Sequence, residues 1–74
     1  MNKMSEEINS IVADIVLKSK GLSDNKHMKI CESLAKKYNL DIIDSIVSFD
    51  KVYYMALGLE YNEEVERKFL EMCF

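Results

Sequence analysis

The sequence predicts an all-α fold, a compact four-helix domain that occupies residues 1–74. Apolar residues recur at offsets of three and four rather than two, which is the period of a helix and not of a strand. A glycine or asparagine followed at once by leucine occurs three times, at Gly21-Leu22, Asn39-Leu40 and Gly58-Leu59. Glycine and asparagine accept the left-handed backbone that ends a helix, and the leucine folds back onto the last turn. Three such ends divide the chain into four helices.

The first two helices are expected at residues 5–20 and 25–38. The apolar stripe of the first consists of Met4, Ile8, Ile11, Val12, Ile15 and Val16. The stripe of the second consists of Met28, Cys31, Leu34, Ala35 and Tyr38. Ser23 or Asp24 fits the N-cap of the second helix, where a side-chain oxygen accepts a backbone N–H. Lysines lie near the C-terminal end of each of these two helices, where a cation suits the negative end of the helix dipole.

The third and fourth helices are expected at residues 42–57 and 63–74, with Asp41 and Asn62 as their N-caps. The third has an apolar stripe at Ile42, Ile43, Ile46, Val47, Phe49, Tyr53 and Ala56. In the fourth, we expect Val65, Phe69 and Cys73 to dock against the other three helices. Leu70 and Phe74 project about 100° away from that side, so one helix face does not bury all five residues.

Size and composition indicate one domain that leaves part of its apolar surface exposed to solvent. Of the 74 residues, 49% are hydrophobic, and a chain this short buries only about 60% of its unfolded surface. We therefore expect self-association, for example as a homodimer, or a protein partner that covers the remainder.

The sequence also indicates a cytoplasmic protein. Glu6, Glu7 and Asp14 exclude the apolar core of a signal peptide, and no apolar run reaches the roughly 18 residues of a membrane span. Cys31 and Cys73 are then expected to be free thiols. Abundant lysine, isoleucine and asparagine suggest an AT-rich coding genome, that of a phage or of a low-GC bacterium. A phage protein would act in its host's cytoplasm.

Candidates for catalysis or metal binding are few. His27 and Cys31 lie four residues apart on one helix face, the spacing for an activated thiolate or two metal ligands. No second histidine exists, His27 is expected to be exposed near a helix start, and Cys31 lies on the core stripe, where a thiol is inert. The carboxylates fit capping and first-turn roles, and no glycine-rich phosphate loop is present. We expect no enzyme activity, metal, cofactor or small-molecule substrate.

Two features of the sequence bear on nucleic-acid binding, a stretch shaped like a helix-turn-helix and a set of lysines. The stretch "ESLAKKYNLDIIDSIVSF" has the shape of a helix-turn-helix, but the polar side of its recognition helix would carry Asp41, Asp44, Ser45, Ser48 and Asp50. Aspartates repel phosphates, so sequence-specific DNA binding is not expected. The alternative is a nucleic-acid- or transcription-associated protein that contacts a polyanion through Lys18, Lys20, Lys26, Lys29, Lys36 and Lys37. The favoured interpretation is that these lysines are helix-end charges on a solvated surface.

The same stretch, "ESLAKKYNLDIIDSIVSF", resembles the central helical segment of late-transcription coactivators of T4-like phages. The apolar ending "RKFLEMCF" is similar in kind to the sliding-clamp-binding tails of that family. The resemblance covers about a quarter of the chain, and the segment from Lys51 onward departs from the family pattern. It implies that transcription machinery belongs among the candidate partners.

The leading hypothesis is a small helical regulator, inhibitor or adaptor that acts through protein–protein contacts. Tyrosine and phenylalanine are enriched in protein interfaces, and the chain concentrates them near its end. The candidate interface residues are Tyr53, Tyr54, Tyr61, Phe69, Leu70 and Phe74. The alternative is that these side chains complete the core of a monomer.

Overall fold

Residues 3–74, which a computed structural model describes, form four α-helices joined by short connections. The helices are α1 (Lys3–Lys18), α2 (Asp24–Tyr38), α3 (Ile42–Ala56) and α4 (Glu63–Cys73). The all-α, four-helix prediction is therefore confirmed, and the helix bounds differ from the predicted ones by at most two residues. None of the helices in this part of the chain is both long enough and apolar enough to cross a lipid bilayer.

The third helix lies at the centre of the fold. It packs against α1, α2 and α4, and its Phe49 is fully buried. Around Phe49, the core is completed by Ile8 and Val12 of α1 and by Cys31 and Leu34 of α2. Because α3 packs against three other helices, some of its polar residues are buried as well. Ser45 and Asp50 are only 1% and 2% exposed, although the sequence analysis assigned both to the solvated side of α3. That assignment was wrong for both residues.

The predicted N-caps are confirmed. Ser23, rather than Asp24, precedes α2 and its hydroxyl accepts the backbone N–H of Lys26. The carboxylate of Asp41 accepts an N–H in the first turn of α3, and the amide oxygen of Asn62 accepts the N–H of Val65 in α4. Each cap satisfies a backbone donor that the helix itself leaves unpaired.

Two of the three predicted left-handed residues are confirmed. Asn39 has φ 54° and Gly58 has φ 74°, but at the end of α1 the left-handed residue is Lys20, at φ 58°, and not Gly21. The reason lies in the last turn: the N–H groups of Ser19 and Lys20 both donate to the carbonyl of Ile15, so the helix closes one residue earlier.

The fourth helix docks on α3 through the side of Leu70 and not through the expected side of Val65, Phe69 and Cys73. Leu70 is its single buried residue, and Arg67 forms ion pairs with Asp44 of α3 (3.0 Å) and with Glu63 in its own helix. Glu63 also pairs with Lys51 of α3 at 2.7 Å. The charged side of α4 thus packs on α3 together with Leu70, and the expectation that Val65, Phe69 and Cys73 dock inward was wrong.

Candidate interaction surface

The apolar stripe of α4 faces the solvent. Val65, Phe69 and Met72 are 63%, 61% and 85% exposed, and their spacing of four and three residues places them on one side of the helix. We call these three residues the α4 face. Apolar side chains scattered singly over a surface are ordinary, but a continuous stripe marks an interaction site more often.

The structure divides the six predicted interface residues between core and surface. Tyr53 and Leu70 belong to the core, and the hydroxyl of Tyr53 accepts the backbone N–H of Leu22 at 2.7 Å. Phe69 and Phe74 are exposed, whereas Tyr54 and Tyr61 are half-buried with their rings edge to face. Phe74 lies apart from the α4 face, beside Leu40 and Ile42 at the turn between α2 and α3.

A groove runs along one flank of the α4 face. It has a volume of about 370 Å³, and its walls are Tyr54, Tyr61, Asn62, Val65, Glu66 and Phe69. The hydroxyl of Tyr61 donates a hydrogen bond to Glu66 across the base of the helix. Burial, followed by this bond, raises the pKa of Tyr61, so its hydroxyl stays a donor throughout the physiological range. The groove therefore offers aromatic walls held by a fixed hydrogen bond.

A second depression, which we call the acidic pocket, adjoins the groove between α2, α3 and α4. It has a volume of about 270 Å³. Its polar lining is Asp24, His27, Asp50 and Glu66, and its apolar lining includes Met28, Ile46, Phe69 and Leu70. Tyr54, Glu66 and Phe69 border both the pocket and the groove, so the two form one continuous surface.

His27 and Asp50 meet inside the acidic pocket. Their nearest atoms, Nε2 and Oδ1, are 2.7 Å apart, and the two side chains are 25% and 3% exposed. The orientation is not that of a hydrogen bond, so both buried atoms lack one despite this ionic contact. Asp50 raises the pKa of His27 by favouring the charged imidazolium. The expectation that His27 is exposed was wrong, because its ring packs against Phe49 and Tyr53.

Glu66 is the other unusual acid of the pocket. Burial is the main cause that raises its pKa, to about 7, and the neighbouring carboxyl of Asp50 acts in the same direction. The hydrogen bond from Tyr61 and the charge of His27 oppose the shift. Near neutral pH, the raised pKa leaves Glu66 partly protonated. Sequence reasoning missed both acids; Asp50 had a visible signal, since it lies four residues after Ile46 and three before Tyr53, within the apolar stripe of α3.

In the structure, His27 and Cys31 do not form an activated cysteine–histidine pair. Cys31 is fully buried, as expected, and burial raises the pKa of its thiol to about 12. His27 contacts Asp50 instead of activating this sulfur. Within residues 3–74, no three histidine, cysteine, aspartate or glutamate side chains are arranged to hold a metal ion. Cys73 is exposed at the end of α4.

The six lysines of the polyanion alternative all lie at the surface. Lys18 pairs with Asp14 at 3.1 Å, and Lys37 pairs with Glu7 at 2.9 Å. Glu7 also accepts a hydrogen bond from the hydroxyl of Tyr38, and this bond is the largest cause that lowers its pKa. Two of the six charges are thus engaged by acids of α1.

Comparisons with known proteins give no match. No protein-family model fits the sequence, and no curated protein or solved structure is significantly similar to the chain. The resemblance of residues 32–49 to the phage coactivators therefore stays a prediction.

Proposed function

We propose that this chain is a small non-enzymatic helical regulator, inhibitor or adaptor that acts by binding a protein through the α4 face. The observation that carries the proposal is the rotation of α4, which packs its charged side on α3 and turns Val65, Phe69 and Met72 to the solvent. Burying such a stripe against a partner would gain roughly 25 cal/mol per Å² of apolar area.

The neighbourhood of the α4 face supports this proposal. Tyr54 and Tyr61 line the adjoining groove, and aromatic side chains in a pocket are the usual anchors of protein interfaces. Asp24 and Glu66 in the acidic pocket oppose phosphate, which argues against a nucleic acid on this surface. The two free thiols are compatible with action in a cytoplasm, which would be that of the host if a phage encodes the chain.

A display library of randomised helical peptides, selected on the wild-type protein, tests the proposal together with sedimentation velocity. We expect either peptide binders or a dimer, and we expect Phe69→Ser to weaken the association about tenfold or more. Leu17→Ser is the matched control, since Leu17 is 85% exposed on α1. Circular dichroism checks that both variants are folded.

Two results would contradict the proposal. One is a strictly monomeric protein that selects no peptide. The other is an association that Phe69→Ser and Leu17→Ser weaken equally, because the α4 face then has no special part in it.

A further inference from the structure

We infer that the partner is a basic amphipathic segment of another protein, whose apolar side covers the α4 face and whose lysine or arginine enters the acidic pocket. The inference rests on the proposed function and adds the chemistry of the occupant. It stands on the geometry of the joined groove and pocket and on the charges that line them.

The two depressions are placed for one segment to fill both. Phe69 and Tyr54 form part of each wall, so apolar side chains in the groove lie next to a side chain that enters the pocket. A helix presents residues three or four apart on the same side, which matches two apolar anchors beside one cation. The aromatic rings of Phe69 and Tyr54 also suit a cation at the pocket entrance.

The pocket contains more negative than positive groups. Among the described residues, Asp24, Asp50 and Glu66 contribute carboxyl groups to its lining, and His27 is the only basic side chain there. Asp50 is 98% buried, and its Oδ1 atom lies 2.7 Å from Nε2 of His27, which is its ionic partner. Asp24 and Glu66 are then in excess of the basic groups, and a guanidinium supplies several donors in one plane. This excess of acids indicates a cationic occupant.

A second copy of the chain fits this surface less well. The α4 helix carries Glu63, Glu64, Glu66 and Glu71 against Arg67 and Lys68, and residues 38–74 hold eight acids against three basic residues. Two copies that meet through α4 bring these acidic surfaces together, and like charges across an interface oppose binding. A basic partner meets the same surface with complementary charge.

Binding of such a cation has a proton signature. The titratable groups that surround Glu66 are Asp24, His27 and Cys31 on α2, Asp50 and Tyr54 on α3, and Tyr61 in the following connection. A partner cation beside Glu66 favours its charged carboxylate. A protonated Glu66 therefore loses its proton when the segment binds, and the complex forms with net proton release near pH 7.

The peptide selection supplies the probes for the test. We expect binders that combine apolar residues at helical spacing with one enriched lysine or arginine. Glu66→Gln should weaken these peptides about tenfold or more, which is the range for a charge-assisted hydrogen bond, and Glu64→Gln should change binding less than about twofold. Glu64 is the matched control because it is exposed on the same helix and its substitution removes the same charge. Calorimetry at pH 7 in two buffers of different ionisation enthalpy should detect proton release with wild type and clearly less with Glu66→Gln, in which His27, whose pKa is raised from 6.5, remains in the pocket.

A peptide change makes the test independent of how well the protein variant folds. Replacing the enriched basic residue of the peptide by methionine should cause the same loss of affinity. Binders without a basic residue, an unaffected methionine peptide, or equal losses for Glu66→Gln and Glu64→Gln would each overturn the inference. The proposed function would survive those results if Phe69→Ser still weakened binding. A dimer without peptide binders would assign the surface to a second copy, and the absence of both would overturn inference and function together.

Discussion

The acidic pocket predicts that this protein loses stability as the pH rises through neutrality. Glu66 has its pKa raised from 4.5 to about 7, mainly by burial, so the folded state holds a proton that the unfolded chain releases. The stabilisation from this proton is complete below pH 4.5 and disappears as the pH rises through 7. His27 acts in the same direction, because Asp50 raises its pKa above 6.5 and the benefit is lost above the folded-state value.

The size of the effect follows from the pKa of Glu66. A rise from 4.5 to about 7 corresponds to about 3 kcal/mol by direct conversion. Glu66 is only partly buried, so solvent screening reduces this to about 1–2 kcal/mol. Within residues 3–74, the other shifted groups act outside the window from pH 5.5 to 8.5. The lowered pKa values of Glu7 and Glu63 act below pH 4.5, and the raised pKa of the Cys31 thiol acts between pH 9 and about 12.

Urea denaturation followed by circular dichroism at pH 5.5 and 8.5, at one ionic strength, measures the difference. Because part of the stabilisation is already lost between pH 4.5 and 5.5, we expect the free energy of unfolding of wild type to fall by about 1 kcal/mol between the two pH values of the assay. Glu66→Gln should show a clearly smaller fall, and Glu64→Gln should behave as wild type. Wild-type stability that is constant or rises over this interval would refute the reasoning, as would an unchanged slope in Glu66→Gln.

Three further predictions concern stability at a fixed pH, each measured as the free energy of unfolding in urea. Leu70→Ala should cost about 2–3 kcal/mol and Phe69→Ala under about 1 kcal/mol, and the reverse order would contradict the rotation of α4. Gly58→Val should cost about 1–2 kcal/mol, because φ is 74° at this position and valine resists a positive φ. Gly21→Ala should be close to neutral, because an added Cβ would lie 3.5 Å from the hydroxyl of Tyr53, which is an ordinary van der Waals contact. Tyr53→Phe removes the acceptor of a backbone N–H and should cost about 1 kcal/mol, so unchanged stability would show that water replaces this bond.

The sequence was sufficient for the helices and for most of the core. Spacing and caps are local properties, so Ser23 and Asn62 identify helix starts without knowledge of the neighbours. The side of α4 that packs inward was not predictable in this way. It depends on contacts with another helix, where Leu70 is buried and ion pairs reach Lys51 and Asp44, whereas apolar spacing alone pointed to Val65, Phe69 and Cys73.

Only the aromatic part of the candidate site could be predicted from the sequence. Phe69 and Tyr54 were predicted as interface residues because aromatic side chains are enriched in protein interfaces. The acidic pocket depends on residues from three helices, and His27, Asp50 and Glu66 meet only after those helices pack. The one local sign of this pocket in the sequence is Asp50, a charged residue within the apolar stripe of α3.

The way in which α4 is attached has a consequence for the motions of the molecule. The helix is fastened mainly to α3, by one buried leucine and by ion pairs at the surface, and surface ion pairs contribute little once salt screens them. Its opening should therefore require less free energy than unfolding of the whole domain, and its amide hydrogens should exchange with solvent first. A helix held so lightly can tilt or slide to accommodate partners of different shape at small energetic cost. The residues that offer the binding surface are thus also those that the fold constrains least.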